Sequence, residues 1–449
     1  MKNKIILDFN EKGKKIKKLH GVNNGPKTMI FHFDTSEYFK EADIPFARLH
    51  DTEYPYGSQH FVDIPCIFKD FQADPDDPES YDFILTDEYI KAIVDCGTKV
   101  FYRLGVSIEH ASKKYNIFPP ADNLKWAKIC EGIIRHYNEG WANGFYYGIE
   151  YWEIWNEPDN HPEAKLNPMW QGTKEQYFKL YEISSNYLKS KFPGLKIGGY
   201  GHCGFYALVQ QDGNNEGSKR LQYFIDFFHE FLDYITSDEH KSPLDFFSWH
   251  TYSGDIDFYK REVMYVREIL DKYGFINTES ILNEWNYAGA DMFINMRNMK
   301  GASCVASVFC EMQKLPLDSA MYYDAQPCLP YCGIFDYPVA KPTKTYYSFK
   351  AFNELYKLGT EVKTVANAHG LYVCAAANGN KGALMAVNYG HDGSDCDFIL
   401  ETIGAKINVT EVLLLNDEYS LEKAESKCYK NNVITLGNDT LVFIRYTVD

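Results

Sequence analysis

Hydrophobic and polar positions follow two alternating rhythms along most of the chain. Short apolar-rich runs recur at KKLHGVN (17–23), FARLH (46–50), KVFYRLG (99–105), IEYWEIWN (149–156), KIGGYG (196–201), DFFSWHTY (245–252), SILNEWNY (280–287) and SAMYYDA (319–325), numbered here strands 1 to 8. The stretches between them place apolar residues three and four apart, the spacing that gives a helix one buried face. Boundary residues support several of these helices. Thr86 is placed to cap one that ends before Gly97, Asp122 opens one that runs to Gly140, and Thr173 with Gln176 forms a capping box for the helix reaching Phe192. Strands alternating with helices predict a parallel sheet, and eight such units predict an α/β fold, a (β/α)8 TIM barrel over residues 15–357.

The texture changes after Leu358. GLYVCAAANGNKGALMAVNYG reads as two strands around a turn at Asn378 and Gly379, and INVTEVLLLN and TLVFIRYTV follow without a helical period. This predicts a small antiparallel β-sandwich. NKIILDFN (3–10) is a strand with no helix after it and is expected to join that sandwich, which would then comprise residues 1–14 and 358–449. The acidic stretch ADPDDPES (73–80) fits no calcium spacing and reads as a solvated loop.

Composition narrows the function. A net charge of -16 repels phosphate backbones, so nucleic acid and anionic membrane are not expected partners. No run approaches the length of about 20 apolar residues that a membrane span needs, and the apolar run in MKNKIILDFN is too short for the core of a signal peptide. The 11 cysteines lack paired spacing, and Cys328 and Cys332 have no companion Cys or His pair, so neither a disulfide framework nor a zinc site is expected. Many thiols without a secretion signal point to a reducing, cytoplasmic setting. The chain also carries 35 Tyr, 30 Phe and 7 Trp, enough both to fill a core and to offer stacking faces to flat sugar rings.

In a barrel of this kind the site forms at the C-terminal strand ends. Those ends offer Arg48, His50 and Asp51 on strand 2, Asn156 and Glu157 on strand 4, Trp249, His250 and Tyr252 on strand 6, Glu284 and Trp285 on strand 7, and Tyr323 and Asp324 on strand 8. Glu157 and Glu284 thus face each other across a cleft. Glycosidic bond cleavage requires such a pair, one acid protonated to assist the leaving oxygen and one ionised to attack or stabilise the sugar cation. Trp152 and Trp155 are expected to raise the pKa of the acid, and Tyr252 to donate a hydrogen bond to Glu284. Glu153 lies deeper on the strand and reads as a buried anchor for Arg48 or Arg103, while Glu163 and Glu279 read as solvated.

The motifs YWEIWNEPDN, ARLH, SWHTY and LNEWN together resemble the clan of retaining glycosidases with acids on strands 4 and 7, and within it glycoside hydrolase family 39, which includes β-xylosidases and α-L-iduronidases. The resemblance implies Glu157 as acid/base, Glu284 as nucleophile, Asn156 at the sugar 2-hydroxyl, and His50, His250 and Tyr252 as sugar contacts. It implies no metal or organic cofactor and suggests a homo-oligomer. Asp51, Trp249, Trp285 and Asp324 complete the expected substrate-binding set. Two features depart from the β-xylosidase pattern: Asp51 follows His50 where a glycine is usual, and strand 8 lacks a glutamate facing the sugar, with Asp324 as a candidate substitute. The long segment after strand 2 reads as a loop over the mouth, which favours trimming from a chain end. The leading expectation is a retaining exo-glycosidase on plant-type oligosaccharides. An arabinoside, a galactoside, an endo-acting glycanase of the same clan and a non-catalytic carbohydrate-binding barrel are the alternatives.

Overall fold

A computed structural model describes residues 3–11, 13–29, 33–52, 60–209, 216–327, 330–337, 339–390 and 396–449. Eight parallel strands close into a barrel: strand 1 Lys18–Asn23, strand 2 Phe46–Arg48, strand 3 Lys99–Leu104, strand 4 Tyr151–Ile154, strand 5 Lys196–His202, strand 6 Phe246–Tyr252, strand 7 Glu279–Asn286 and strand 8 Ser319–Tyr322. Strand 8 pairs back onto strand 1, with Tyr322 opposite Val22.

The predicted caps hold at two of three helices. Asp122 caps Asn123–Glu139, which Gly140 ends at φ 72°, and Thr173 and Gln176 form the capping box of Lys174–Lys191. Thr86 instead lies inside helix Ile84–Asp95, where its hydroxyl donates to the Phe61 carbonyl at 2.7 Å.

Alternation along the strands sorts the side chains into two populations. Outward residues, including Trp152, Trp249 and Trp285, join the large core between strands and helices. Inward residues build layers. The lowest is an apolar plug of Phe46, Phe101, Tyr151, Phe246, Ile281 and Met321. Below it, Glu279 is no free surface acid: its carboxylate takes hydrogen bonds from the Lys196 ammonium at 2.5 Å and the Tyr151 hydroxyl at 2.8 Å.

The second unit is one ten-stranded sheet that curls on itself around a core of its own, with Ile5, Leu7, Phe398, Ile434, Val442 and Ile444 in one cluster. Most of its pairings are antiparallel, as expected for the sandwich. The exception is strand Lys4–Asp8, which pairs antiparallel with Thr360–Ala366 on one side and parallel with Cys396–Ile403 on the other. The expected hairpin joins Leu371–Asn378 to Lys381–Asn388 through Gly379 and Asn380, one residue later than the Asn-Gly pair indicated. Its outer face packs on the barrel, where Phe443, Leu441 and Met385 enter the main core and Arg445 donates to Glu354 at 2.8 Å.

Cys328 lies outside the described residues, and Cys332 is buried. Among the described residues no helix is long and apolar enough to cross a membrane.

Candidate active site

Above the apolar plug lies a polar layer centred on Arg48 and Glu153, both fully buried. Arg48 Nε donates to Glu153 Oε2 at 2.8 Å, and Ser248 Oγ and Asn283 Nδ2 both donate to Oε1 at 2.6 Å. The rest of the guanidinium faces upward. Nη1 donates to Asn23 Oδ1 at 3.0 Å and to Glu284 Oε2 at 3.1 Å, and Nη2 donates to Asn156 Oδ1. Burial opposes the charge on Arg48, but Glu153 and Glu284 outweigh it and hold the guanidinium protonated. A lone buried charge would cost several kcal/mol, so this pairing is what makes the layer affordable. Of the two partners foreseen for Glu153, Arg48 is the one used; Arg103 is bound to Asp63 at 2.6 Å.

Glu284 reaches the same interior because strand 7 breaks its own alternation. Leu282 lies opposite Trp249 while Glu284 lies opposite His250, so Asn283 is an extra residue in the ladder. The bulge lets the consecutive residues Asn283 and Glu284 both point inward. Tyr252 then donates to Glu284 Oε1 at 2.7 Å.

Glu157 arrives by a different route. Strand 4 ends at Ile154, and the chain then turns through positive φ at Trp155 (73°) and Glu157 (43°). The Glu157 backbone N–H is tied to the Tyr200 and Gly201 carbonyls at 3.1 and 3.0 Å. Its carboxyl meets His250 Nδ1 at 2.8 Å through Oε1 and accepts from Asn160 Nδ2 at 2.7 Å through Oε2. Ligating atoms of Glu157, His250 and Glu284 all lie within 4.8 Å of one another. A cation has donors of the right type here, but His250 and Glu157 already share a hydrogen at contact distance. The cluster therefore reads as a proton-handling acid pair.

Electrostatics separate the two acids. Burial pushes the Glu157 carboxyl up to about 7, with the negative charge of Asp159 adding to it and contacts with Asn160, Cys203 and Arg48 opposing it. Burial also raises Glu284, and Glu157 adds to that, but His250, Arg48 and the Tyr252 hydroxyl pull it back. His250 falls to about 4 because it is buried, so it is a neutral imidazole at neutral pH. Glu157 is therefore the group that carries a proton near neutrality.

The other nominated residues divide. Asn156 keeps its Nδ2, His250 its Nε2 and His50 its Nδ1 without a partner among the described residues, although all three atoms are buried. Buried polar atoms are normally satisfied, so these three atoms are open to the polar groups of a ligand. Asp51, at φ 50°, has both carboxylate oxygens engaged: one accepts from the Ile108 N–H at 2.9 Å and the other from the Tyr323 hydroxyl at 3.0 Å. It ties together the loops after strands 2, 3 and 8. Asp324 is fully buried and accepts from Asn24 Nδ2 at 3.3 Å.

Trp249 and Trp285 require correction as sugar contacts. Both are fully buried on the helix side of the barrel, Trp249 against Phe205 and Trp285 against Phe309 and Tyr322. With His250 and Glu284 turned inward, their chain neighbours must turn outward. Trp152 likewise lies on the outer side and stacks on Tyr102, while Trp155, beyond the strand end, packs on Trp170.

Three further groups escaped sequence reasoning. Asn160 and Asp159 flank Glu157 from a loop without periodic signal, and His202, at the end of strand 5, lies 2.6 Å from Asp159. Tyr331 packs its ring against those of both Tyr252 and Tyr323 beside the acids.

Comparisons with known proteins bear on the family and the fold. Residues 3–386 match the model of "Glycosyl hydrolases family 39". A β-xylosidase of Geobacillus stearothermophilus is 26% identical over 217 residues, which are 45% of this chain and only 37% of that relative's length. In three dimensions, a glucosidase from Croceicoccus marinus superposes with a TM-score of 0.76 at 21% identity, covering 100% of this chain and 99% of the other. A monomeric β-xylosidase from Caulobacter crescentus superposes with a TM-score of 0.66 at 16% identity, covering 99% of both chains. The family match takes in the whole barrel and continues into the curled sheet, and the protein belongs to the glycosyl hydrolases of family 39.

Proposed function

We propose that this protein is a retaining glycosidase that trims neutral, plant-type oligosaccharides from a chain end, in the manner of a β-xylosidase. The observation that carries the reading is the placement of carboxyl oxygens of Glu157 and Glu284 within 4.8 Å of each other. Retaining enzymes hold their acids about 5–5.5 Å apart, whereas inverting enzymes leave about 6.5–9.5 Å for a water. In the first step Glu284 attacks the anomeric carbon as Glu157 gives its proton to the departing oxygen. In the second, Glu157 takes a proton from water, whose oxygen displaces Glu284 and releases the sugar. A neutral sugar suits the site because its buried cations, Arg48 and Arg103, are already committed to Glu153, Glu284 and Asp63. The acids are recessed, with side chains 13% and 9% exposed, which suits a substrate entering by its end.

One feature favours an endo-acting alternative. A groove of about 910 Å³ runs beside the loops after strands 2 and 3, lined by His60, Lys69, Glu109, Tyr115 and Asn116. Such a volume accommodates additional sugar units. A panel of nitrophenyl xylosides, arabinosides, galactosides and glucosides, with proton NMR of the first-formed anomer, tests the main reading. Retention by the unsubstituted protein and its loss in Glu284→Ala are expected; an inverted first product refutes it. Mid-chain cleavage of a reduced oligosaccharide would select the endo alternative.

A further inference from the structure

The carboxyl of Glu157 is connected to the outer ring of helices through one amide. Asn160 donates from Nδ2 to Glu157 Oε2 at 2.7 Å. On the opposite side of the same residue, Arg220 donates from Nη2 to Asn160 Oδ1 at 3.0 Å and from Nε to the Asn160 carbonyl at 2.8 Å. Arg220 belongs to helix Glu216–Thr236, and its guanidinium lies over the Phe224 ring at 5.3 Å.

An asparagine amide has a donor end and an acceptor end of nearly equal size, so by itself it can face a carboxyl either way round. A guanidinium offers only donors. The end of Asn160 that meets Arg220 must therefore be the oxygen, and the end that meets Glu157 must be the NH2 group. The second bond, to the Asn160 backbone, stops the whole loop from sliding along the helix. The consequence falls on the acid: Oε2 always meets a donor and acts as an acceptor, which leaves Oε1, the oxygen facing His250, to bear the transferable hydrogen.

We propose that Arg220 is a positioning residue for Glu157, acting through Asn160 to fix which carboxyl oxygen accepts and which carries the proton. The proposal rests on the reading of Glu157 as the acid/base. The other charged or titratable groups facing Glu157 are Asp159 on its own loop, Cys203 and Tyr206 after strand 5, His250 and Tyr252 on strand 6, Glu284 on strand 7, Tyr331 after strand 8 and Arg48 on strand 2. None of them orients the amide.

The test compares leaving groups. In Arg220→Ala, kcat/KM for glycosides with poor leaving groups should fall roughly tenfold, the effect of losing one well-placed hydrogen bond to a charged group. Dinitrophenyl glycosides, whose departure needs no proton, should change less than twofold. The Asn160 donor favours the carboxylate form of Glu157, so releasing it should also move the basic limb of the pH profile to higher pH. Arg220→Lys, which keeps one donor, should recover part of the loss. Asn160→Ala should reproduce the pattern, and adding Arg220→Ala to it should leave the leaving-group dependence and the basic limb without further change. Equal losses on both substrate types, or a basic limb that stays in place, would overturn the proposal. Carbon-13 titration of the Glu157 carboxyl reads the same effect without turnover. If no glycoside is hydrolysed by the unsubstituted protein the catalytic reading fails, whereas an unmoved titration in Arg220→Ala rejects the clamp.

Discussion

Replacing Tyr252 by Phe isolates a single hydrogen bond at Glu284, the proposed nucleophile. The hydroxyl donates to Glu284 Oε1 at 2.7 Å, and the ring is held by packing against Tyr331, so the phenyl ring retains its place. A hydrogen bond to a charged group contributes about 1.5–3 kcal/mol. At about 1.4 kcal/mol per pH unit, its loss moves the ionisation of Glu284 upward by roughly one unit or more. The sign follows from the roles proposed for the two acids. Glu284 acts ionised, so activity is lost as pH falls through its titration. Glu157 acts protonated, so activity is lost as pH rises through about 7. Burial already raises Glu284 and the Tyr252 hydroxyl opposes that rise, so the substitution narrows the bell from its acid side and lowers its maximum. The assay is kcat/KM for a nitrophenyl glycoside from pH 4 to pH 9 in both proteins, the limbs being read as properties of the coupled pair. The expected result is an acid limb displaced upward by roughly one unit or more, with the basic limb nearly unchanged. An acid limb that stays in place, with a uniform drop in rate, would refute the assignment of Tyr252 as the group that keeps Glu284 anionic.

The remaining expectations are direct. Glu284→Ala should abolish turnover, and added azide should restore part of it while giving the product of opposite anomeric configuration, read by NMR. Glu157→Ala should spare the first step for good leaving groups and slow it strongly for poor ones; equal losses would contradict the acid role. Gly201→Ala should lower both melting temperature and kcat, because Gly201 sits at φ 63° and an added Cβ would lie 2.8 Å from Asn156 Oδ1 and 3.1 Å from His250 Nε2. The left-handed backbone alone costs about 1–2 kcal/mol for a residue with a Cβ. Trp249→Phe should destabilise by about 1–3 kcal/mol, as core changes do, while leaving KM within twofold; a large rise in KM would restore it as a sugar contact.

The barrel was legible because its signal is repeated: eight apolar runs, each followed by a helical period, leave little freedom in topology. The two acids were legible for a related reason, since each ends a run beside Asn and Trp. What failed was the assignment of faces. Aromatic composition does not distinguish the inner from the outer side of a strand, so Trp249 and Trp285 were read as sugar contacts when His250 and Glu284 occupy the inward positions. The bulge at Asn283 left no mark in the sequence either, although without it alternation would have turned Glu284 away from the site. Glu279 shows the same blindness at the other end of the barrel, where Lys196 and Tyr151 reach it from strands 5 and 4, neither of which pairs with strand 7. Loop residues such as Asn160 and Asp159 carry no period at all, and their roles come entirely from what the fold brings beside them.

The seating of Lys4–Asp8 between Thr360–Ala366 and Cys396–Ile403 has a cost in time as well as a benefit in stability. During synthesis this segment emerges from the ribosome nearly four hundred residues before the second of its neighbours exists, and Ile5 and Leu7, which end fully buried, must wait in water. Closure of the curled sheet is therefore a late event in maturation. A chain trimmed of this segment would present two unfilled strand edges to each other, an opening ready to capture a stray strand from another copy.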